Sequence, residues 1–239
     1  MTAHPRNEDF TPPADFYRLN MTDMSAGRIT LPARQSSPGL YRNAGKRVLD
    51  ILLVVISLPV VLPVILILAG LVALDGGRPF YSQLRVGQGG RTFRMWKLRS
   101  MVLDADAALD GYLASDPALR AEWDAHQKLR HDPRITLIGE LLRRSSLDEL
   151  PQLLNVLTGD MSLVGPRPMM PQQRSIYPGE AYYRLRPGLT GMWQVTARND
   201  SVFAFRAACD ARYDRRLSLW LDVKLILVTV GVVLRGTGR

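Results

Sequence analysis

Residues 51–74, ILLVVISLPVVLPVILILAGLVAL, contain no charged side chain and decide how the rest of the chain must be arranged. As one α-helix with a rise of about 1.5 Å per residue, this segment is long enough to cross a bilayer. Pro59 and Pro63 lie in its middle, where each removes a backbone donor and clashes with the preceding turn. We therefore expect a sharp bend, and a straight span and a helix-break-helix are both open on this segment alone.

The charges beside the apolar segment favour one of these two paths. Both flanks are basic, with Arg42, Lys46 and Arg47 before the segment and Arg78, Arg85, Arg91 and Arg94 after it. The positive-inside rule places both flanks in the cytoplasm, which a straight span cannot satisfy. A helix-break-helix that enters and leaves through one leaflet satisfies it. We therefore predict a re-entrant membrane region over residues 41–76, with its break at Pro59 and Pro63.

The whole-chain composition fits one catalytic or binding unit with an anionic partner. The 239 residues suffice for a single sizeable domain, and the single cysteine, Cys209, excludes an intrachain disulfide and indicates a reducing, cytoplasmic compartment. The formal net charge of +9 indicates nucleic acid, an acidic membrane surface or a phosphorylated substrate. Residues 1–40 mix prolines with polar residues without periodicity and lack the apolar stretch of a signal peptide, so we predict a disordered tail.

The remaining residues predict an α+β, mostly helical protein. Residues 79–86 and 92–99, joined by Gly87-Gln88-Gly89-Gly90, predict a β-hairpin with basic side chains, which a solvated cationic surface would also explain. Amphipathic helices are expected at 102–114 and 116–130. The apolar stretch Leu217–Leu234 is interrupted by Asp222 and Lys224, and its last ten residues are too short to cross a bilayer. A helix at the membrane interface or on the core fits it better.

The densest cluster of reactive side chains is RRSSLDELPQLLNVLTGD, residues 143–160. A purely structural interpretation accounts for it, because Asp148 can cap a helix amino terminus, Pro151 is tolerated in the first turn and Gly159 can end the helix. A functional interpretation uses the same geometry, since a helix amino terminus attracts phosphate and keeps a carboxylate ionised. Ionised aspartate attacks phosphorus if nearby cations offset its repulsion from a diphosphate.

Two arginines could supply that positive charge. Arg143 lies just upstream of Asp148, and Arg167 stands between Pro166 and Pro168. The two prolines restrict the backbone and would aim the planar guanidinium, which suits phosphate oxygens. An exposed rigid turn is the competing interpretation of this tripeptide.

Several motifs in a fixed order give the chain a recognisable pattern from Tyr41 to the carboxyl terminus. They are Lys46-Arg47 with Asp50, Arg85-Val86-Gly87, Lys97-Leu98-Arg99-Ser100-Met101, Asp132-Pro133-Arg134-Ile135-Thr136, the SLDELPQ run at 146–152, the GDMSLVGPRP run at 159–168 and the PGLTG run at 187–191. Together they resemble the bacterial sugar transferase family, which comprises monotopic polyprenyl-phosphate phosphoglycosyl transferases. So many long motifs in order make a chance match very improbable.

The resemblance implies a role for each candidate site residue. Asp148 matches the nucleophile that carries a sugar-1-phosphate after UMP leaves, and Glu149 its partner, which binds Mg2+ or assists proton removal from the polyprenyl phosphate. Asp148 and Glu149 are also the implied Mg2+ ligands, since Mg2+ binds through few carboxylates together with phosphate oxygens. Basic and acidic substrate-binding positions of the family correspond to Lys97, Arg143, Arg167 and Asp210.

The resemblance also implies an arrangement and partners. A tail at 1–40 and a re-entrant region at 41–76 would precede a cytoplasmic catalytic domain at 77–239 that ends in an interfacial helix. Its partners would be a UDP-sugar, undecaprenyl phosphate and membrane lipids, and no nucleic acid. The protein would lie at the cytoplasmic face of the bacterial inner membrane, and whether it forms a homo-oligomer is left open. Members that start exopolysaccharide units with glucose- or galactose-1-phosphate are the most similar, and the chain looks like a minimal version without a long amino-terminal domain.

Two residues depart from the family pattern. Leu62 precedes Pro63 where many relatives have serine, so a serine hydrogen bond to the freed backbone is missing. Ala197 stands where relatives often have glycine, which a turn with positive φ would favour.

A second functional class is a basic membrane-surface or nucleic-acid-binding module without catalysis. The charge permits it, but the tryptophans at 96, 123, 193 and 220 are scattered and do not form interleaved stacking platforms.

Overall fold

The computed structural model describes residues 39–126, 129, 131–196 and 203–234. The predicted disordered tail lies outside the described residues except for positions 39 and 40. Ala197 also lies outside them, so the effect of this departure stays untested.

The apolar segment forms one long helix, α1, over Lys46–Ala73, preceded by a π-helical turn at Tyr41–Gly45. Within the described ranges, Tyr41–Ala73 is the one helix long and apolar enough to cross a membrane. Helical structure continues through Pro59 and Pro63, so the helix has no gap there, and the bend expected at these prolines stays a prediction. Each proline removes one backbone hydrogen bond, and the bonds of the neighbouring turns hold the helix together. The re-entrant path stays a prediction.

One face of α1 packs on the rest of the protein in two places, at Lys46–Val54 and at Leu68–Val72. Val54 belongs to a core cluster with Met95 and Val156, and Leu68 belongs to a second cluster with Leu142. The opposite face exposes large apolar side chains, namely Ile51, Leu52, Val55, Ile56, Val60, Leu62, Leu66, Ile67 and Leu71. Such a continuous apolar surface is far larger than soluble proteins expose and is typical of membrane contact.

The hairpin is confirmed, with β1 at Phe80–Val86 and β2 at Thr92–Leu98 in antiparallel register. Its turn, Gln88–Gly90, needs positive φ at Gly89 and Gly90, which glycine adopts without steric cost. Four helices follow: α2 at Ala105–Ser115, α3 at Pro117–His126, α4 at Leu137–Ser145 and α5 at Gln152–Thr158. The first two confirm the predicted pair, and their bounds are shorter than predicted.

A two-stranded parallel sheet joins the GDMSLVGPRP and PGLTG motifs. Strand β3, Ser162–Val164, pairs with β4, Gly188–Thr190. A Cβ on Gly188 would lie 2.1 Å from the backbone nitrogen of Gly165, so the close approach of the two chains requires glycine. Between the strands lie a 3-10 helix at Pro171–Ile176 and α6 at Ala181–Arg184.

The last described part is helical, with α7 at Met192–Thr196, α8 at Phe203–Arg216 and α9 at Leu219–Leu234. The side chains of Cys209, Tyr213 and Leu225 pack with Val164 in one core cluster. The helix predicted for 217–234 is confirmed, and it exposes Leu219, Trp220, Leu227 and Val230. Its placement at a membrane interface stays a prediction.

Candidate active site

Asp148 lies in a short 3-10 turn, Leu147–Glu149, between α4 and α5. The structural interpretation of Asp148 as a helix cap is wrong, because Pro151 occupies the amino-terminal cap position of α5 and no side chain caps it. The chain first turns through Ser146, whose φ is +58°, so Asp148 precedes α5 instead of capping it. Gly159 ends α5 with φ +91°, as predicted.

Lys97 connects the two acidic side chains. Its Nζ lies 3.2 Å from Oδ2 of Asp148 and donates to Oε1 of Glu149 at 2.8 Å. Lys97 reaches them from β2, across 51 residues of sequence. Asp148 is buried, with 7% of its surface exposed, and Glu149 is partly exposed. One ammonium therefore holds both carboxylates in a defined orientation.

The pKa values of the two neighbouring carboxyl groups are shifted in opposite directions. Burial raises the pKa of Asp148 above its ordinary value, although Lys97 opposes this. Burial would also raise the pKa of Glu149, but the positive charges of Lys97 and Arg167 reverse the effect and hold this pKa below its usual range. Glu149 is therefore the more firmly ionised of the two. The proton affinity of Asp148 depends on keeping Lys97 in place.

An open, mostly polar cleft lies beside this pair. Three of the predicted residues, Lys97, Glu149 and Arg167, line it. The other lining residues are Arg85, Met95, Gln152, Pro168, Gly188, Leu189 and Gln194. The cleft therefore lies where β2, the start of α5, and the segments after β3 and β4 meet.

Arg167 is held from two sides. Its guanidinium carbon lies 5.7 Å from the ring centroid of Trp193, within cation–π distance. Its backbone carbonyl accepts a hydrogen bond from Arg206. The turn with its two prolines therefore presents a positioned guanidinium at the cleft, which favours the functional interpretation of this tripeptide.

The other three predicted residues lie outside the cleft lining, and of these Asp148 lies beside the cleft, next to Glu149 and in contact with Lys97. Arg143 donates to Oγ of Ser100 at 2.8 Å, and its charge lowers the pKa of Asp148. Asp210 is 3% exposed and accepts a hydrogen bond from the Tyr177 hydroxyl at 2.9 Å. Burial raises its pKa to about 7. Asp210 therefore lies behind the wall of the cleft, on the same helix as the Arg206 that holds the Arg167 backbone.

Seven lining residues of the cleft were absent from the predicted site, and Arg85 and Gln152 are the two among them with a buried side-chain N–H donor that has no hydrogen-bond partner among the described residues. Both belong to motifs that the sequence shows, Arg85 in the hairpin and Gln152 after the acidic pair. The signal was therefore present, but basic hairpin residues and helical glutamines are usually solvated. Only the fold shows that these two side chains turn towards the acidic pair.

The residues fit Mg2+ only together with substrate oxygens. Among the described residues, no group of three His, Cys, Asp or Glu side chains could hold a metal ion. Asp148 and Glu149 supply two neighbouring carboxyl groups, which is the number that Mg2+ commonly takes from protein when phosphates complete its shell.

The fold and the cleft define the class: a protein with one potential membrane helix, and beside it a cationic cleft built around an acidic pair. Residues 41–236 match the family model described as bacterial sugar transferase, and the chain belongs to this family.

Curated relatives agree with this family. A UDP-galactose-lipid carrier transferase of Erwinia amylovora is 45% identical over 195 residues, which are 81% of this chain and 41% of the relative. The exopolysaccharide production protein ExoY of Sinorhizobium fredii is 42% identical over 196 residues, 81% of this chain and 87% of that protein. A UDP-glucose:undecaprenyl-phosphate glucose-1-phosphate transferase of Caulobacter vibrioides is 38% identical over 213 residues, 84% of this chain and 74% of the relative. The matched region thus spans less than half of the Erwinia protein and most of the other two.

Proposed function

We propose that this protein transfers a hexose-1-phosphate, from UDP-glucose or UDP-galactose, to undecaprenyl phosphate and releases UMP. This reaction would be the first membrane step of exopolysaccharide synthesis. The names of the relatives support the donor, the lipid acceptor and the pathway. Family membership favours this over a non-catalytic basic module.

The observation that carries the proposal is an excess of positive charge around one acidic pair. Lys97 is paired with Asp148 and Glu149. Arg85, Arg143 and Arg167 form no ion pair with any carboxylate in the described part of the chain. Unpaired guanidinium groups around a cleft call for an anionic ligand, and a diphosphate matches their planar donor geometry.

In the first step, an oxygen of the Asp148 carboxylate attacks the phosphorus that bears the hexose. The bond between this phosphorus and the bridging oxygen breaks, and UMP leaves with the electron pair. Lys97 orients Asp148, and the surrounding arginines offset the charge repulsion between carboxylate and diphosphate. The product on the enzyme is a mixed anhydride of Asp148 with the hexose phosphate.

In the second step, a phosphate oxygen of undecaprenyl phosphate attacks the same phosphorus. The bond to Asp148 breaks, the carboxylate is restored and the lipid diphosphate hexose is released. Glu149, which the nearby cations keep ionised, would bind Mg2+ or assist removal of a proton from the lipid phosphate. Two displacements let one site serve a soluble donor and then a lipid acceptor.

Mg2+ would be held by Glu149 and Asp148 together with substrate phosphate oxygens, and when bound it neutralises charge on the diphosphate. The lysine between the two carboxylates performs part of this neutralisation with the chain's own charge.

The membrane placement in the proposal is re-entrant, at the cytoplasmic face of the bacterial inner membrane. Contacts at both ends of α1 support it. Near the start, Lys46 donates to Asp222 at 2.7 Å, and just after the end, Arg99 donates to Asp75 at 2.8 Å and to the Val72 carbonyl at 3.0 Å. A helix that crossed the bilayer would carry one end away from the polar body, whereas a re-entrant helix keeps both ends beside it.

The test is UMP release from UDP-glucose and UDP-galactose by the purified full chain with undecaprenyl phosphate and Mg2+. Asp148→Asn removes the nucleophile, so we expect release to fall by at least about a thousandfold. Asp124→Asn, on an exposed side chain paired only with Arg120, should leave the rate unchanged. Mass spectrometry of enzyme incubated with donor alone should show a hexose phosphate on Asp148.

Full turnover by Asp148→Asn, or product formation without any such adduct, would contradict the covalent route. The rates with the two donors also assign the sugar. If neither donor releases UMP from the wild-type enzyme, the proposed function is wrong.

A further inference from the structure

Two buried N–H donors at the cleft have no hydrogen-bond partner in the described part of the chain. They are Nε of Arg85 and Nε2 of Gln152. Both residues line the cleft, and only 2% of the Gln152 surface is exposed. Buried polar groups are nearly always satisfied, so two unsatisfied donors at one cleft indicate a ligand that accepts hydrogen bonds there.

The Arg85 guanidinium is fixed before any ligand binds. Its Nη2 donates to Oε1 of Gln83 at 2.5 Å, and its Nη1 lies 3.5 Å from the Pro168 carbonyl. Burial, with the nearby Arg167 and Arg206, lowers its pKa to about 10, so the group stays charged at neutral pH. A rigid, charged donor of this kind is suited to a phosphate oxygen.

Arg85 and Gln152 line the cleft, whereas Asp148 lies beside it and is not one of the lining residues. Lys97 reaches both carboxylates of the acidic pair from β2, and Arg85 approaches the cleft near the Pro168 carbonyl. The two unsatisfied donors therefore belong to the cleft itself, and Asp148 lies at its edge.

We propose that Arg85 and Gln152 form an exchange subsite, which binds the phosphate of UMP as it leaves and then the phosphate of undecaprenyl phosphate as it arrives. This inference rests on the proposed function. In-line displacement carries it, because the leaving oxygen departs opposite Asp148 and the acceptor oxygen must attack opposite Asp148 as well. The two phosphates therefore use the same side of the reacting phosphorus, one after the other.

The experiment compares UMP with uridine, which differ by the phosphate alone. Binding of each is measured by calorimetry on the wild-type full chain and on Arg85→Gln and Gln152→Met, at fixed Mg2+. We expect each variant to weaken UMP binding about tenfold or more and to leave uridine binding unchanged. Unchanged uridine binding shows that the cleft is still folded. Arg94→Gln and Gln172→Met, two exposed residues outside the cleft lining, serve as matched controls.

A second measurement tests the exchange itself. In both variants the KM for undecaprenyl phosphate should rise together with the loss of UMP affinity, and UMP should inhibit the wild-type enzyme competitively against the lipid. If the variants bind UMP as tightly as the wild type, Arg85 and Gln152 do not form a phosphate subsite. If UMP binding is weakened but the KM for undecaprenyl phosphate is unchanged, the two phosphates do not use the same subsite. If the wild-type enzyme releases no UMP from either UDP-hexose, the proposed function itself is wrong. This result is distinct from a failure of the subsite, which is measured on variants of an active enzyme.

Discussion

Asp148 and Glu149 are neighbours in sequence, yet the fold gives them different chemistry. Asp148 is turned into the protein, where burial favours the protonated acid, and Glu149 faces the cleft cations, which favour the carboxylate. Lys97 touches both and is the reason that the buried member can remain an anion. Burial leaves the ionised Asp148 carboxylate poorly solvated, and the cations of the cleft keep Glu149 ionised.

Asp210 is a deeply buried carboxyl group with a strongly raised pKa. Burial raises its pKa from 3.8 to about 7, against the opposing effects of Arg206 and of the Tyr177 hydroxyl. The folded chain therefore holds this proton more tightly than the unfolded chain. Its contribution to the free energy of unfolding is complete below about pH 4 and is lost as the pH rises towards and beyond 7.

We predict that Asp210→Asn removes this pH dependence. Asparagine keeps an acceptor for Tyr177 without a charge, so wild type and variant should be similarly stable near pH 4. Above pH 7 the variant should be the more stable one, by at most about 4 kcal/mol. The measurement is the unfolding midpoint of both proteins in detergent between pH 4 and 8. A difference that stays constant over this range would show that Asp210 does not titrate there.

Part of the site could be predicted from sequence, because its residues stand in long motifs. Lys97, Glu149 and Arg167 were expected in one site, and the fold brings them to one cleft. The sequence could not show that Asp210 is buried outside the cleft lining, since its burial depends on the packing of α8. Gln152 was missed for the same reason, because an uncharged helical side chain shows no function until its surroundings are known.

At the scale of elements, the start of α1 is joined to α9 by one buried carboxylate. Asp222 is fully buried and accepts hydrogen bonds from the Tyr41 hydroxyl at 2.6 Å, Lys46 at 2.7 Å and the Tyr213 hydroxyl at 2.6 Å. In sequence, Asp222 only interrupted an apolar stretch. In the fold, it is the charge that ties the membrane helix to the carboxyl-terminal helices.

We predict that Asp222→Leu destabilises the fold by about 3–5 kcal/mol, because Lys46 is then buried without a counter-charge. The double variant Lys46→Met with Asp222→Leu should recover part of this loss, since it removes both charges. Chemical denaturation in detergent measures the difference, with the exposed Asp124→Asn as the control, expected to change stability by less than about 0.5 kcal/mol. A double variant less stable than the single one would show that the ion pair is not the reason for the loss.

Element prediction succeeded where the pattern was local. The hairpin with its glycine turn and the helices around Ser115 were readable from periodicity and turn residues. The parallel pairing of β3 with β4 was not, because strands of three residues have no periodicity and their pairing depends on contacts such as that of Gly165 with Gly188. The bend at the two prolines depends on the surrounding membrane as well as on the local sequence, and it stays a prediction.

At the scale of the whole molecule, the packed face of α1 and the ionic contacts at its ends set how the protein can meet a membrane. The buried residues of the helix lie near its two ends, from Lys46 to Val54 and from Leu68 to Val72, and the exposed face is apolar. A lipid leaflet can cover the exposed face without separating the two ends from the body. This placement would also hold Lys97, Asp148 and Glu149 near the headgroups, where an acceptor phosphate lies.

We predict that both flanks of α1 are on the cytoplasmic side. Single cysteines are introduced at two exposed positions, Asn43→Cys before the helix and Arg78→Cys after it, and Cys209 is buried and should react slowly. Asp110→Cys, exposed on α2, reports the side of the polar body. A membrane-impermeant maleimide should label none of the three in intact cells and all three in inverted membrane vesicles.

Labelling of position 43 in intact cells, with 78 and 110 protected, would show a spanning helix. Because the contacts of Lys46 and Arg99 with the body could not both form in that case, the same result would also contradict the packing of α1 described here.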